Sequence, residues 1–205
     1  AKQASIFSSS VLPEKSFTGI SGPEGVSSPP PSTSLLQLKN TPHSNKNKTE
    51  NIENRTQTFS MREEQRRAVN KTYEYFINEK KERPNVKPKF LWNAKMRFGK
   101  TFTSYQLVKK MNFQKILILT FKPAVQSAWK EDLQSHVDFE GWQFICKSSG
   151  IGTIDEQFSK ADKNRPIVCF GSFQDFLGTN ENGGIKAKNE FIHSDNWDLV
   201  IFDEY

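Results

Sequence analysis

The chain has 205 residues, 35% hydrophobic and 12% aromatic, enough for one sizeable core. Cys146 and Cys169 stand alone with no CxxC or Cys/His spacing, which argues against a metal site or redox pair and places both as reduced thiols in apolar strands. No run of eighteen apolar residues occurs, so no membrane span is expected, and the net charge of +6 points to an anionic partner only through its distribution.

Residues 1–60 hold 12 Ser and six of the ten Pro, with few large apolar groups to offset the entropy of ordering them. This composition predicts a disordered linker or tail over residues 1–60, in which "TSLLQLKN" is a short amphipathic piece able to dock on a partner. The first residue is Ala and the last run is "DLVIFDEY", and we read the chain as an internal fragment. The folded part is expected to span residues 61–205.

Over residues 61–80, Gln65, Val69, Tyr73, Phe76 and Ile77 recur at three- and four-residue spacing, which predicts a helix. "ERPNVKPK" ends it, because proline cannot continue a helix. Short apolar runs then alternate with longer segments: "KFLWNA", "KILILT", "WQFICK", "PIVCFGS" and "DLVIFD" read as strands. Between them, residues 100–111 and 124–137 read as helices, the first with Ser104, Leu107, Val108 and Met111 on one face and the second with Val125, Ala128, Trp129 and Leu133 facing inward. Strands apolar on both faces and alternating with helices predict an α/β fold, a parallel sheet with helices on both faces, whose ligands bind beyond the carboxyl ends of the strands. Residues 178–184, "GTNENGG", read as a turn-rich insertion.

Charge is concentrated where the chemistry is expected. Residues 61–110 carry 14 basic and 5 acidic side chains, whereas residues 111–205 carry 9 and 14. Within the basic region, "AKMRFGKT" (residues 94–101) fits the phosphate-loop pattern with Ala94 in place of the first glycine, after a strand and before a helix. A helix N-terminus offers unpaired N–H groups and partial positive charge to an anion. Gly99 allows close backbone approach, Lys100 can reach the β and γ phosphates, and the Thr101 hydroxyl can ligate magnesium. Met96, Arg97 and Phe98 are bulky for a tight loop and are expected to point away from the phosphates, with Arg97 free to meet nucleotide or nucleic acid. Such a site needs a carboxylate for magnesium and a base for the attacking water. The strand ending in Asp203 and Glu204 supplies both, Asp203 for the metal and Glu204 for the water. His43, His136 and His193 form no recognisable cluster.

These residues resemble the first motor domain of superfamily 2 helicases and translocases, the DEAD/DEAH-box group. "MREEQRRAV" is similar to the nucleotide-selecting Q motif, "AKMRFGKT" to motif I and "DEY" to the start of motif II, although Tyr205 departs from both DEAD and DEAH spellings. The resemblance implies a RecA-like P-loop lobe using ATP and Mg2+, with Gln65 reading the adenine edge, Arg62 nearby, and Ala94, Arg97 and Phe98 counted with the nucleotide loop. It also implies strand contacts by Lys122 in "LTFKPAVQSAW" and by Ser172 and Gln174 in "FGSFQDF". The "WNAKMRFGKT" spelling is most like helicase subunits of restriction-modification systems, which join a motor to nuclease or methyltransferase parts. By that resemblance the partners are nucleic acid, duplex DNA in preference to RNA, and a second RecA-like lobe carrying arginine fingers; the compartment is the cytoplasm and no membrane is involved. The rival readings are an RNA helicase, a kinase or ATPase that ignores nucleic acid, and a scaffold without nucleotide binding.

Overall fold

The runs "KILILT", "PIVCFGS" and "DLVIFD" become strands whose two sets of alternating side chains are both buried, one on each side of a sheet, whereas "KFLWNA" buries Trp92 on one face and leaves Leu91 exposed on the other. In the computed structural model, which describes residues 4–9 (backbone only), 55–147, 150–176, 184 and 187–203, the sheet has six strands. They are β1 (Ala4–Ser9), β2 (Lys89–Asn93), β3 (Lys115–Thr120), β4 (Gln143–Ile145), β5 (Ile167–Ser172) and β6 (Leu199–Asp203). All pairings are parallel, in the order β2-β1-β6-β3-β5-β4.

Period two divides the core. Ile116 and Ile118 of β3, Val168 and Phe170 of β5, and Leu199 and Ile201 of β6 face one cluster. That cluster takes side chains from α1 (Glu63–Glu82), α2 (Lys100–Met111) and α3 (Gln126–Ser135). Leu117, Leu119, Cys169 and Val200 face the opposite cluster, built with α4 (Ile154–Lys160), α5 (Phe173–Phe176) and α6 (Glu190–Ser194). The parallel sheet with helices on both faces is therefore as expected. Cys146 and Cys169 are both buried and free, and burial, with a smaller contribution from Cys146, pushes the Cys169 thiol far above its ordinary range.

The α1 helix forms where the three- and four-residue spacing placed it, burying Gln65, Val69 and Phe76. Its inner face also carries Thr72, whose hydroxyl donates to the Ala68 carbonyl at 2.8 Å and accepts from Trp92 Nε1 of β2 at 2.8 Å. This hydrogen bond satisfies a buried indole and fixes α1 against the strand that leads into the phosphate loop. The α2 helix spans its expected residues, but every residue of 102–108 is buried, so it is more deeply enclosed than a one-faced pattern implies. The α3 helix is shorter than expected, because Pro123–Val125 forms a 3-10 turn first; Ala128 is exposed rather than inward.

The expected tail needs correction at both ends. Ala4–Ser9 lies between β2 and β6, pairing in parallel with each. A strand pairing supplies the backbone partners that its serine-rich composition conceals. Residues from Arg55 onward are also tied down. Gln57 bridges to His136, and an Arg55 guanidinium nitrogen donates to the carbonyls of Leu133 and His136. Phe59 packs edge-on to His136 with centroids 4.8 Å apart. The His136 tautomer follows from its neighbours: Asp138 N–H donates to Nδ1 at 3.1 Å, so Nε2 carries the proton and donates to the Phe59 carbonyl at 2.8 Å. A histidine without a sequence assignment is thus a buried staple for the segment before α1. The turn-rich insertion lies outside the described residues except for Gly184.

Gly171 marks the tightest strand-to-helix approach. A Cβ there would overlap the ring of Phe176 on α5, itself 2% exposed. Gly171→Ala is therefore expected to cost about 1–3 kcal/mol through overpacking, read as a lower denaturant midpoint with an unchanged slope.

Candidate nucleotide site and sheet edge

Because all six strands run the same way, their carboxyl ends lie along one edge. Thr120 pairs with both Ser172 and Asp203, so the ends of β3, β5 and β6 lie in one row. Asn93, the last residue of β2, pairs with Ser9, one residue beyond the Ser8–Asp203 pair. With β1 between them, β2 and β6 stand two strand spacings apart, about 10 Å. The loop leaving β2 turns back across this interval.

The loop is shaped by two left-handed residues, Arg97 (φ 63°) and Gly99 (φ 78°). Gly99 is the N-cap of α2, with no side-chain cap and no acidic residue in the first turn. The first N–H groups of this helix therefore remain available to an anion. The positive φ favours glycine here, and a Cβ at Gly99 would come within 2.7 Å of Gln65 Nε2 and displace that amide. Thr103 steadies the turn by donating its hydroxyl to the Gly99 carbonyl at 2.7 Å.

Lys100 and Asp203 meet at this edge. Lys100 Nζ lies 3.7 Å from Asp203 Oδ1, with the two side chains 19% and 8% exposed. The other oxygen, Oδ2, accepts from Trp129 Nε1 at 2.9 Å. Thr101 follows Lys100 in the first turn of α2 and is partly exposed. Glu204 lies outside the described residues. No group of three or more His, Cys, Asp or Glu side chains among the described residues could hold a metal. A magnesium ion suits this arrangement, since Mg2+ is commonly held by one or two protein oxygens together with substrate phosphates. Asp203 and Thr101 are the residues that would hold it.

The Q-motif residues grip the loop rather than an open pocket. Arg62 N–H donates to Gln65 Oε1 at 2.8 Å, and Gln65 Nε2 donates to the Phe98 carbonyl at 2.8 Å. Arg62 Nη2 donates to the Arg97 and Phe98 carbonyls at 3.1 and 2.6 Å. Both ends of the Gln65 amide are thus engaged, and the side chain is 6% exposed. The resemblance implies that Gln65 reads the adenine edge; in the structure its amide braces the phosphate loop. Arg97 is exposed. Ala94 is buried, and the Phe98 ring packs on Trp92 with centroids 6.4 Å apart. Both side chains pack against the core, Phe98 only in part, which gains apolar burial and supports the loop.

The two suggested strand-contacting loops come together at the same edge. Phe121 stacks on Phe173 at 4.4 Å, and Phe173 on Phe202 at 5.9 Å, which joins the turns after β3 and β5. Lys122 and Gln174 are exposed there. Ser172 is not: it is 3% exposed, donates to Asp175 Oδ2 at 2.7 Å and accepts from Asp175 N–H at 3.1 Å. Burial pushes the Asp175 carboxyl up, but hydrogen bonds from Ser172 and Lys147 outweigh it and hold the group below its ordinary range. The Ser172 hydroxyl is thereby spent on capping α5.

A parallel sheet, a left-handed glycine opening α2, and a lysine facing the acid of a neighbouring strand end define a RecA-like P-loop lobe. Residues 58–205 match the family described as the type III restriction enzyme, res subunit (ResIII), and the chain belongs to that superfamily 2 helicase family of restriction systems. It is also similar to a Mycoplasma pneumoniae protein whose name assigns it to the C-terminus of a type II restriction enzyme and methyltransferase. The two are 39% identical over 124 residues, 57% of this chain and 16% of the relative. The chain thus spans less than a fifth of that relative's length. No solved structure gives a significant match.

Proposed function

We propose that this chain is the nucleotide-binding lobe of an ATP-dependent DNA motor, a helicase or translocase, acting within a restriction enzyme. The observation that carries the proposal is the meeting of Lys100 and Asp203 at the open N-terminus of α2. Membership of the ResIII family supports the same reading.

In this reading the α2 N–H groups and Lys100 hold the phosphates of ATP, while Gln65 and Arg62 keep the loop in its gripping shape. Magnesium, when bound with ATP, would neutralise developing charge on the transferred phosphoryl group. Asp203 and the Thr101 hydroxyl would hold that ion, and Glu204, next in sequence, would accept the proton of the attacking water. A second lobe closes over the site and supplies arginine to it. Lys122 and Gln174 lie on the edge that would follow the phosphate backbone of duplex DNA. Nuclease or methyltransferase modules elsewhere in the protein would use the movement. No helix among the described residues is long and apolar enough to cross a membrane. A motor on duplex DNA would work in the cytoplasm, where its substrate is.

The test is ATP turnover by the intact protein, alone, with duplex DNA and with matched RNA. Stimulation by duplex DNA is the expected result. Stimulation by RNA alone would make it an RNA motor, and turnover indifferent to both would make it an ATPase of another kind.

A further inference from the structure

The indole of Trp129 occupies an unusual place for a core aromatic. It is 1% exposed, yet its Nε1–H points at Asp203 Oδ2, 2.9 Å away, in a residue 6% exposed. A carboxylate can rotate to offer either oxygen, whereas an indole N–H can only donate. With Oδ2 taken, Oδ1 is the oxygen left facing Lys100. The indole is itself held. Tyr105 of α2 donates its hydroxyl to the Trp129 carbonyl at 2.9 Å and packs edge-on to the indole, with centroids 5.4 Å apart. Burial, with a smaller contribution from Asp132, raises the Tyr105 phenol well above its ordinary range, so it remains a donor. The helix carrying Trp129 follows the Lys122 turn directly, and that turn is pinned by Lys122 N–H donating to Thr120 Oγ1 at 3.0 Å, in the row of Asp203.

We propose that Trp129 is a positioning residue for Asp203: its N–H locks one carboxylate oxygen so that the other is presented to the magnesium of bound ATP. The assignment rests on the nucleotide-binding reading above and gives Trp129, the last residue of "LTFKPAVQSAW", a task toward the metal rather than toward a nucleic-acid strand. Removing the N–H while keeping an aromatic ring leaves Asp203 free to rotate within a buried site. The metal requirement should suffer more than the grip on nucleotide.

The experiment compares the intact protein with its Trp129→Phe variant. The Mg2+ concentration giving half-maximal ATP turnover is expected to rise about 10–100-fold, as for other residues that orient metal ligands. Binding of a fluorescent ADP without Mg2+ is expected to stay at the parental affinity, which loss of packing alone would not produce. An unmoved Mg2+ midpoint overturns the assignment. A second measurement needs no Trp129 variant. In the unmodified protein, the indole N–H resonance that Asp203→Asn displaces is expected to move when Mg2+ is added to the ADP-bound state; a stationary resonance also overturns it. Failure of the unmodified protein to bind ADP or ATP at all would instead remove the nucleotide-binding reading, and this assignment with it.

Discussion

Lys100→Ala is expected to lower ATP turnover by the intact protein about a hundredfold or more, the usual consequence of removing one preorganised group that stabilises transition-state charge. Lys100 opens α2, so its ammonium adds a full charge where the helix already offers unpaired N–H groups. Asp203→Asn should act as strongly by another route, because the amide keeps an oxygen for the Trp129 N–H but loses the negative charge needed for a metal. Each variant leaves the other member of the 3.7 Å pair without its opposite charge. The stability cost should stay near 1–3 kcal/mol, within what a domain of ordinary stability tolerates. Circular dichroism and a denaturant midpoint check the fold while turnover is measured. Turnover at the parental rate in a folded Lys100→Ala protein would falsify the site.

The largest effect on stability is expected from Phe139→Ala. Phe139 is fully buried in the 3-10 turn that follows α3. Its ring centroid lies 6.0 Å from Phe102, 5.3 Å from Tyr105, 5.4 Å from His136 and 5.2 Å from Trp142. Truncation would empty a space walled by four rings, two of them fixed on the enclosed helix α2, which cannot all close in together. A loss of about 3–5 kcal/mol follows from the transfer and cavity terms combined. Urea unfolding should show this as a lower midpoint with the parental slope. A loss under about 1 kcal/mol would mean that the surrounding rings repack, contrary to the close packing assigned to this cluster.

What the sequence made legible was governed by local pattern. Five of the six strands, the α1 and α2 helices and the phosphate loop each announce themselves within a few residues, through apolar runs, helical spacing or the Gly99-Lys100-Thr101 triplet. The meeting of Lys100 with Asp203 was also legible, because parallel strands bring their carboxyl ends to one edge. Features that depend on a distant partner were not. "ASIFSS" is too rich in serine to read as a strand until its neighbours in the sheet are known. Phe139 sits in a single turn, too short to show a period. Trp129 was expected to face inward, but nothing near it names Asp203 as the acceptor. Gln65 was assigned to the adenine edge by resemblance, whereas its engagement of Phe98 and Arg62 depends on how the loop folds back.

The place of β1 has a kinetic consequence. No two consecutive strands among β1, β3 and β6 follow one another in the chain, and β2 joins the sheet through β1 alone. Ser5 must find Lys89, and Ala4 must find Leu199, nearly the whole sequence away, before the phosphate-loop strand is joined to the rest of the sheet. Loop closure over such a distance is entropically unfavourable, and contacts of this kind form late. The strands β3, β4 and β5 can pair over shorter stretches of chain and should protect their amides first. The grip on phosphate is therefore set at the end of folding, when a strand from one end of the sequence joins the lysine's half of the site to the aspartate's.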